Sequence, residues 1–360
     1  MNLKRPGLRE LHHELSRREF LRVAASAGAV GAGALMLGAC GSDESRSNAA
    51  STPGAAVDPP PETTTIRLAT NIIVLSDAPI QLAGLFLPEE GFTDVQYIDV
   101  PTSSGGVPKL AAGEIDIGLP FASSVTAAAD ASDQLVVLAG VDNTSFKLFA
   151  NDRVQSLRDL KGKRVWVEKR DARDGQYVFM AALLAFVGID LEHEVEFVEL
   201  SPADAATQVQ AGTIDAWLAT ATTSSFGHVV LNGTVDPPWS QYFGGMVTGN
   251  RDFVKKHPAA TKRALRAILK ATDVCAREPE RAARYVVDKG FTGFNYDQVL
   301  DRIIRLRYAA WREFDPEDTV RFYALRLKEA GLVKSTPDQL IARATDWRYL
   351  NEIKRELAVA

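Results

Sequence analysis

The chain has 360 residues, 46% of them hydrophobic and 24% charged. This is an ordinary globular mixture, too long for one compact domain and incompatible with disorder throughout. Its 41 Lys and Arg against 46 Asp and Glu leave a net charge of −5, which argues against a protein that works mainly by neutralising nucleic-acid phosphates. The charge is uneven: six basic and three acidic residues precede Cys40, so the remainder carries −8.

The first element is an address. Arg17 and Arg18 stand before an uncharged Ala- and Gly-rich stretch from Val23 to Ser42, with Leu35, Met36 and Leu37 near its end. A basic segment, an apolar segment and small residues at the cleavage point make a signal-peptide pattern, and the glycines make the same stretch a poor membrane-spanning helix. Ser16-Arg17-Arg18-Glu19-Phe20-Leu21-Arg22 resembles a twin-arginine export signal. Leu37-Gly38-Ala39-Cys40 resembles a lipobox, which implies acylation of Cys40. Residues 1–39 thus read as signal, and residues 40–63, rich in Ser, Ala and Pro, as a lipidated tether. Cys275 is then the one remaining thiol, so no intrachain disulfide forms; its Ala-rich helical surroundings read it as a buried small hydrophobe.

From Thr64 onward, β-branched runs alternate with amphipathic patterns, which predicts an α/β architecture with largely parallel sheets. The predicted order is strand Thr65–Thr70, helix Ala78–Glu90, strand Val95–Val100, short helix Gly105–Ala112, and strands Ile115–Leu119 and Leu135–Val141. A second series follows: strands Phe146–Ala150 and Arg164–Val167, a helix over Gln176–Val187, strand Val195–Leu200, helix Ala203–Ala211 and strand Ala216–Ala219. Val247–Thr248 returns the chain to the first lobe. After about Gly245 the pattern is helical, over Pro258–Ala276, Pro279–Asp288, Asp297–Trp311 and Pro316–Ala330, with Glu278-Pro279, Asp315-Pro316 and Thr336-Pro337 as starts. The aromatics Tyr296, Tyr308, Trp311, Phe314, Trp347 and Tyr349 recur at helical spacing and read as packing against the first lobe.

An internal echo divides the chain. Ala111-Ala112-Gly113-Glu114-Ile115-Asp116-Ile117 recurs 99 positions later as Gln210-Ala211-Gly212-Thr213-Ile214-Asp215-Ala216. Each copy ends a helix at a glycine suited to the left-handed cap and enters a buried strand. Asp116 and Asp215 therefore read as structural residues of a repeated motif.

Ala78-Pro79-Ile80, the segment from Leu110 to Gly118, Ser156-Leu157-Arg158-Asp159-Leu160-Lys161-Gly162-Lys163-Arg164-Val165 and the segment from Ala211 to Ala216 resemble, in this order, the nitrate/sulfonate/taurine group of ABC-importer substrate-binding proteins. That group shares its fold with thiamine-pyrimidine synthase. The resemblance covers about Thr64 to Ala330. It implies a type II periplasmic-binding-protein-like fold of two lobes, each a mostly parallel sheet flanked by helices, with a helical C-terminal tail. The divisions expected are lobe 1 over 64–143 and 243–330, lobe 2 over 144–242, and C-terminal helices over 331–360 packed on lobe 1. The crossovers are expected near Asp142–Ser145 and Gln241–Gly244, with closure on a ligand by a hinge. The expected partners are a small-molecule ligand, an ABC permease and indirectly its ATPase, and the membrane through lipid on Cys40. The protein is expected to act as an exported monomer without nucleic acid, cofactor, metal or catalytic residues. A thiamine-pyrimidine-synthase-like enzyme and a ligand-sensing module for a membrane partner stand as alternatives.

Ligand is expected between the carboxyl ends of the strands, where helix N-termini point N–H groups into the cleft. The loops there supply Asn71, Ser76 and Asp77; Ser103, Ser104 and Gly105; Phe121, Ser123 and Ser124; and Thr220 and Thr222. The serines can bind ligand or merely cap helices, and Phe121 can stack on ligand or plug the lobe. Arg170 and Arg173, in the loop Lys169–Gly175, can pair with a carboxylate or sulfonate, or belong to a solvated loop neutralised by Asp171 and Asp174. The histidines His193, His228 and His257 have no metal-binding spacing.

Overall fold

The computed structural model describes residues 58–71, 77–100, 106–219 and 226–359. Among the described residues, ten strands fall into two five-stranded sheets. The first sheet is built from β1 (Thr65–Thr70), β2 (Asp94–Asp99), β3 (Ile117–Gly118) and β4 (Leu135–Asn143). The second takes β5 (Lys147–Ala150), β6 (Arg164–Val167), β7 (Glu196–Glu199), β8 (Ala216–Ala219) and β9 (His228–Asn232); β10 (Phe243–Asn250) then goes back to the first. The spatial orders are β2-β1-β3-β10-β4 and β7-β6-β8-β5-β9. Both sheets are mixed. In each, four strands run in the same direction, while the strand that arrives from the other lobe lies between two neighbours antiparallel to it: β10 between β3 and β4, β5 between β8 and β9.

The sequence echo is a structural one. Gly113 and Gly212 both adopt positive φ, 73° and 68°, each ending a helix where a side chain would be strained. Three residues after each glycine, directly before the strand, an aspartate clamps the sheet. Asp116 accepts the Arg67 backbone N–H at 2.8 Å and its guanidinium at 2.5 and 3.2 Å. Asp215 accepts the Arg164 N–H at 2.9 Å and the Arg153 guanidinium at 2.6 Å. Both aspartates are structural.

Several predicted elements change length for local reasons. The helix expected over 78–90 is α-helical only over Ala78–Leu82 and tightens to a 3₁₀ turn at Ala83–Leu85; Pro88 cannot continue the ladder. The helix expected over 297–311 stops at Arg305 where Leu306 turns extended, and a short helix resumes at Ala310–Glu313. Helix Ala122–Ala131, unmarked by any amphipathic stripe, has seven of its ten residues buried. Strand β9 was not expected either, and β10 is eight residues long rather than two.

The domain's first described residues are bound to helix Pro258–Arg277. Glu62 accepts the N–H groups of Ala259 and Ala260 at 2.9 Å, supplying the cap its N-terminus lacks. Asp58 and Glu90 form a network with Lys262, Arg266 and Lys270, which Glu352 and Glu356 of helix Arg348–Val359 extend at 2.9 and 2.8 Å. Residue 345 bridges to Val137, attaching the tail to β4. Cys275 is buried in the first core.

Candidate functional site

Two segments run between the sheets, 144–146 and 233–242, and they are stapled to each other. Asp142 accepts the Gly245 N–H at 2.8 Å. Asn143 donates to the Thr234 carbonyl at 2.7 Å and accepts the Arg307 N–H at 3.0 Å. The Thr144 carbonyl takes the Thr234 hydroxyl at 3.2 Å, and the Phe146 carbonyl takes the Gly233 N–H at 3.0 Å. Ser145 differs: it is 2% exposed and its Oγ is buried without a hydrogen-bond partner.

The same condition recurs at the end of β3. Phe121 precedes helix Ala122–Ala131, and Ser123 and Ser124 form its first turn. Both serines are 1% exposed, and both Oγ atoms are buried and unpartnered. They do not cap the helix, because Phe121 holds the N-cap position with no side-chain hydrogen bond. Their neighbour Thr126 shows the usual alternative, donating to the Ala122 carbonyl at 2.7 Å. An unmade hydrogen bond in the interior costs about 1–3 kcal/mol, so three such hydroxyls are expensive unless something outside the protein pairs with them.

Aromatic rings connect the two places. The Phe121 ring lies 4.6 Å from Phe146, which stacks at 4.8 Å on Phe179 of helix Gly175–Phe186 in the second lobe. Phe179 meets Trp239 and Tyr323. Phe121 is therefore in contact with the crossing, and Ser123, Ser124 and Ser145 flank the same aromatic seam.

Asn71 and Asp77 bracket the loop between them. The Asn71 amide donates to the Val100 carbonyl at 2.8 Å. Asp77 is buried; burial drives its carboxyl far above the usual range and Asp142 adds to the rise, while the Asn71 N–H opposes it. Ser76, Ser103, Ser104, Gly105, Thr220, Thr222 and Cys40 lie outside the described residues.

Arg170 and Arg173 stand in ion pairs within their own lobe. Arg173 is exposed and grips Asp171 at 2.9 and 2.5 Å, which holds the Asp171 carboxyl down to about 2. Arg170 pairs with Glu192 and lies 5.8 Å from the Phe197 ring centre. Asp174 caps helix Gly175–Phe186 through the Tyr177 N–H at 2.8 Å.

A second group of ionisable residues was not anticipated. Lys147, the first residue of β5, is 9% exposed, and Arg302, on helix Tyr296–Arg305, is 5% exposed. Burial lowers the affinity of Lys147 for its proton, and the nearby Arg305 and Arg302 lower it further against the pull of Asp301. Arg302 in turn faces Asp142 and Tyr308. Asp142, fully buried, is pushed up to about 7 by burial, against the Gly245 N–H and Arg302. Sequence spacing carries no sign of this cluster, since β4, β5 and helix Tyr296–Arg305 meet only through the crossing topology. Among the described residues, no group of His, Cys, Asp and Glu is arranged to hold a metal ion.

Two lobes joined by two stapled crossings, with the returning strand of each lobe inserted antiparallel in the other's sheet, define the periplasmic-binding-protein fold. The chain belongs to the NMT1/THI5-like family, which it matches over residues 86–282. No curated protein matches it in sequence. Among solved structures it is similar to the periplasmic nitrate-binding protein NrtA from Synechocystis PCC 6803, at 14% identity and a TM-score of 0.65, covering 83% of this chain and 90% of that one. The alkanesulfonate-binding protein SsuA from Xanthomonas axonopodis pv. citri, bound to MOPS, is 17% identical with a TM-score of 0.62 over 79% and 99%. The aliphatic sulphonate-binding protein SsuA from Escherichia coli is 20% identical with a TM-score of 0.58 over 79% and 99%.

Proposed function

We propose that the chain is the solute-capturing lipoprotein of an ABC import system. It is exported, tethered through Cys40, takes a small organic solute between its lobes and presents the closed form to a permease. The observation that carries this reading is the set of three buried, unpartnered hydroxyls, Ser123, Ser124 and Ser145, around the Phe121–Phe146 contact. Hydroxyls at the end of a strand, in the first turn of a helix and in an inter-lobe crossing are suited to orient a ligand that aromatic rings desolvate. Closure converts the binding free energy into a shape that the permease can distinguish. The solved neighbours bind nitrate and sulfonates, as their names state, and a tether that ends before the docked residues Asp58 and Glu62 leaves the domain free to reach a membrane partner.

The test is calorimetry of residues 41–360 against nitrate, alkanesulfonates, carboxylates, pyrimidines and aromatic acids. A saturable ligand with one site per chain is expected. Failure of every class to bind removes the proposal. Metabolic labelling with a radioactive fatty acid, lost in Cys40→Ala, checks the anchor.

A further inference from the structure

We propose that a cavity of about 420 Å³ between helix Arg251–Lys256 and the C-terminal tail binds the phosphate of an anionic phospholipid headgroup and seats the first lobe on the membrane. The inference rests on the lipid-anchored reading above and adds to it a second contact with the bilayer, away from the solute cleft. Val136, near the start of β4, lines the cavity, whereas Asn143, at the other end of that strand, enters the crossing. Seven residues of strand put the cavity about 23 Å from the lobe junction.

Four cations line it, Arg251, Lys255, Arg343 and Arg348, with one carboxylate, Asp346. Two of the four are paired: Arg348 grips Asp346 at 2.9 and 2.6 Å, and Arg343 faces Asp133 at 3.2 Å and Asp130 at 3.7 Å. The other two are not neutralised. Arg251 donates to the carbonyls of Asp133, Leu135 and Arg343, which orient the guanidinium without cancelling its charge. Those bonds use Nε and Nη2 and leave Nη1 for a ligand. Lys255 is exposed and enters no ion pair among the described residues, while its neighbour Lys256 takes Asp252. A fixed guanidinium beside an ammonium suits a phosphate, and the apolar wall of Val136, Val254 and Pro258 strengthens the field there. The rest of the domain cannot supply this attraction, since the chain beyond its N-terminal address carries −8.

The source of the phosphate follows from where the tether ends. Glu62 accepts the N–H groups of Ala259 and Ala260, directly beside Pro258 in the cavity wall. Asp58 lies one to two turns further along the same helix, on Lys262 and Arg266. Residues 41–57, between Cys40 and Asp58, reach at most about 60 Å and span roughly 20–25 Å as a coil. A lipid on Cys40 therefore holds the cavity close to headgroups at an effective concentration in the millimolar range, where even a weak site fills.

The experiment couples the mature chain, residues 40–360, through Cys40 to a maleimide-bearing lipid; Cys275 is buried and does not compete. The vesicles are phosphatidylcholine alone or with one third phosphatidylglycerol. Amine labelling read by mass spectrometry follows Lys255, with Lys169, exposed in the second lobe, as the comparison. Lys255 should label about fivefold more slowly on the phosphatidylglycerol vesicles, the effect of one cation at an anionic surface. Lys169 should label equally on both, and high salt should remove the difference. Arg251→Gln should lose most of the protection, and Arg251→Lys, which keeps the charge, should retain much of it. The vesicle comparison needs no variant, so it decides even if Arg251→Gln fails to fold. Equal labelling of Lys255 on the two vesicle types overturns the proposal; if dissolved glycerol phosphate protects it in that case, the cavity belongs to a free phosphate instead. Undiminished protection in a folded Arg251→Gln also overturns it. Because the lipid is attached chemically, these results are independent of whether cells acylate Cys40, which the fatty-acid label tests.

Discussion

Gly244 lies directly against the Thr144 backbone where the two crossings meet. A β-carbon on Gly244 would stand 2.5 Å from the Thr144 Cα, 2.7 Å from its N and 2.6 Å from the Asn143 carbonyl oxygen. No rotamer change relieves that clash, because every atom is main chain. Gly233 is similarly close to the Phe146 carbonyl, at 2.9 Å. The two crossings are thus in direct contact, with glycine on one side so that the hydrogen bonds of Asn143 and Thr144 can form.

Gly244→Ala should destabilise the domain by about 1–3 kcal/mol, the cost of overpacking a closed interior. Urea unfolding followed by tryptophan fluorescence measures it. Gly293, which has open space around its β-carbon position, provides the comparison, and Gly293→Ala should change stability by less than about 0.5 kcal/mol. Equal effects at the two positions would remove the argument for a sterically tight crossing.

The two sheet clamps are expected to behave as equivalents. Asp116→Ala and Asp215→Ala each leave a strand N–H without its acceptor, while the partly exposed guanidiniums of Arg67 and Arg153 return to water, and each should cost about 1–3 kcal/mol. Asp215 adds a pH signature. Burial raises its carboxyl, but the Arg164 N–H, Asn151 and Arg153 outweigh this and hold it below the usual range. Its contribution is complete at neutral pH and is lost as acid titrates the folded carboxyl. Chemical denaturation from pH 7 to 2 should therefore show a shallower acid limb in Asp215→Ala.

These clamps were legible in the sequence because a motif repeated at 99 residues keeps helix end, left-handed glycine and strand aspartate together in a window of seven. The α/β alternation of each lobe was legible for the same local reason. Helix Ala122–Ala131 was not, since a helix buried on nearly all sides has no polar stripe to give its period. Lys147 and Arg302 were hidden differently. One is a cation in an otherwise apolar strand and the other falls in an ordinary amphipathic pattern; 155 residues separate them, and only the crossing brings them together. Arg170 and Arg173 were conspicuous because their loop is rich in charge, yet that richness also supplies the ion-pair partner of Arg173, Asp171, while Arg170 reaches Glu192 outside the loop.

Asp142, which accepts the Gly245 N–H where the crossings meet, gives the domain a measurable pH dependence. Burial places its folded carboxyl at about 7, above the unfolded value near 4. The folded state therefore binds the extra proton between about pH 4 and 7. Stability from this group is present at the acid end, declines as pH rises through the window and is level above it. At about 1.4 kcal/mol per pH unit the window limits the effect to about 4 kcal/mol. Asp142→Asn keeps an acceptor for the Gly245 N–H and removes the titration. It should flatten the stability profile from pH 4 to 7 and leave the variant at least as stable as wild type at pH 8. A variant with the wild-type slope would place the titrating group elsewhere.

The serine hydroxyls separate binding from folding. Because the Oγ atoms of Ser123, Ser124 and Ser145 have no partner in the protein, Ser→Ala at each removes an unsatisfied buried polar atom and no internal hydrogen bond. Stability should hold or rise by up to about 1 kcal/mol. On the proposed binding role ligand affinity should fall, since each hydroxyl would find its hydrogen-bond partner in the ligand. A net hydrogen bond of about 0.5–1.5 kcal/mol corresponds to roughly two- to tenfold per serine. Thermal melts without ligand and calorimetry with the ligand found for wild type give the two numbers on the same samples. Loss of stability with unchanged affinity would make these serines packing residues and move the ligand's polar contacts elsewhere in the cleft.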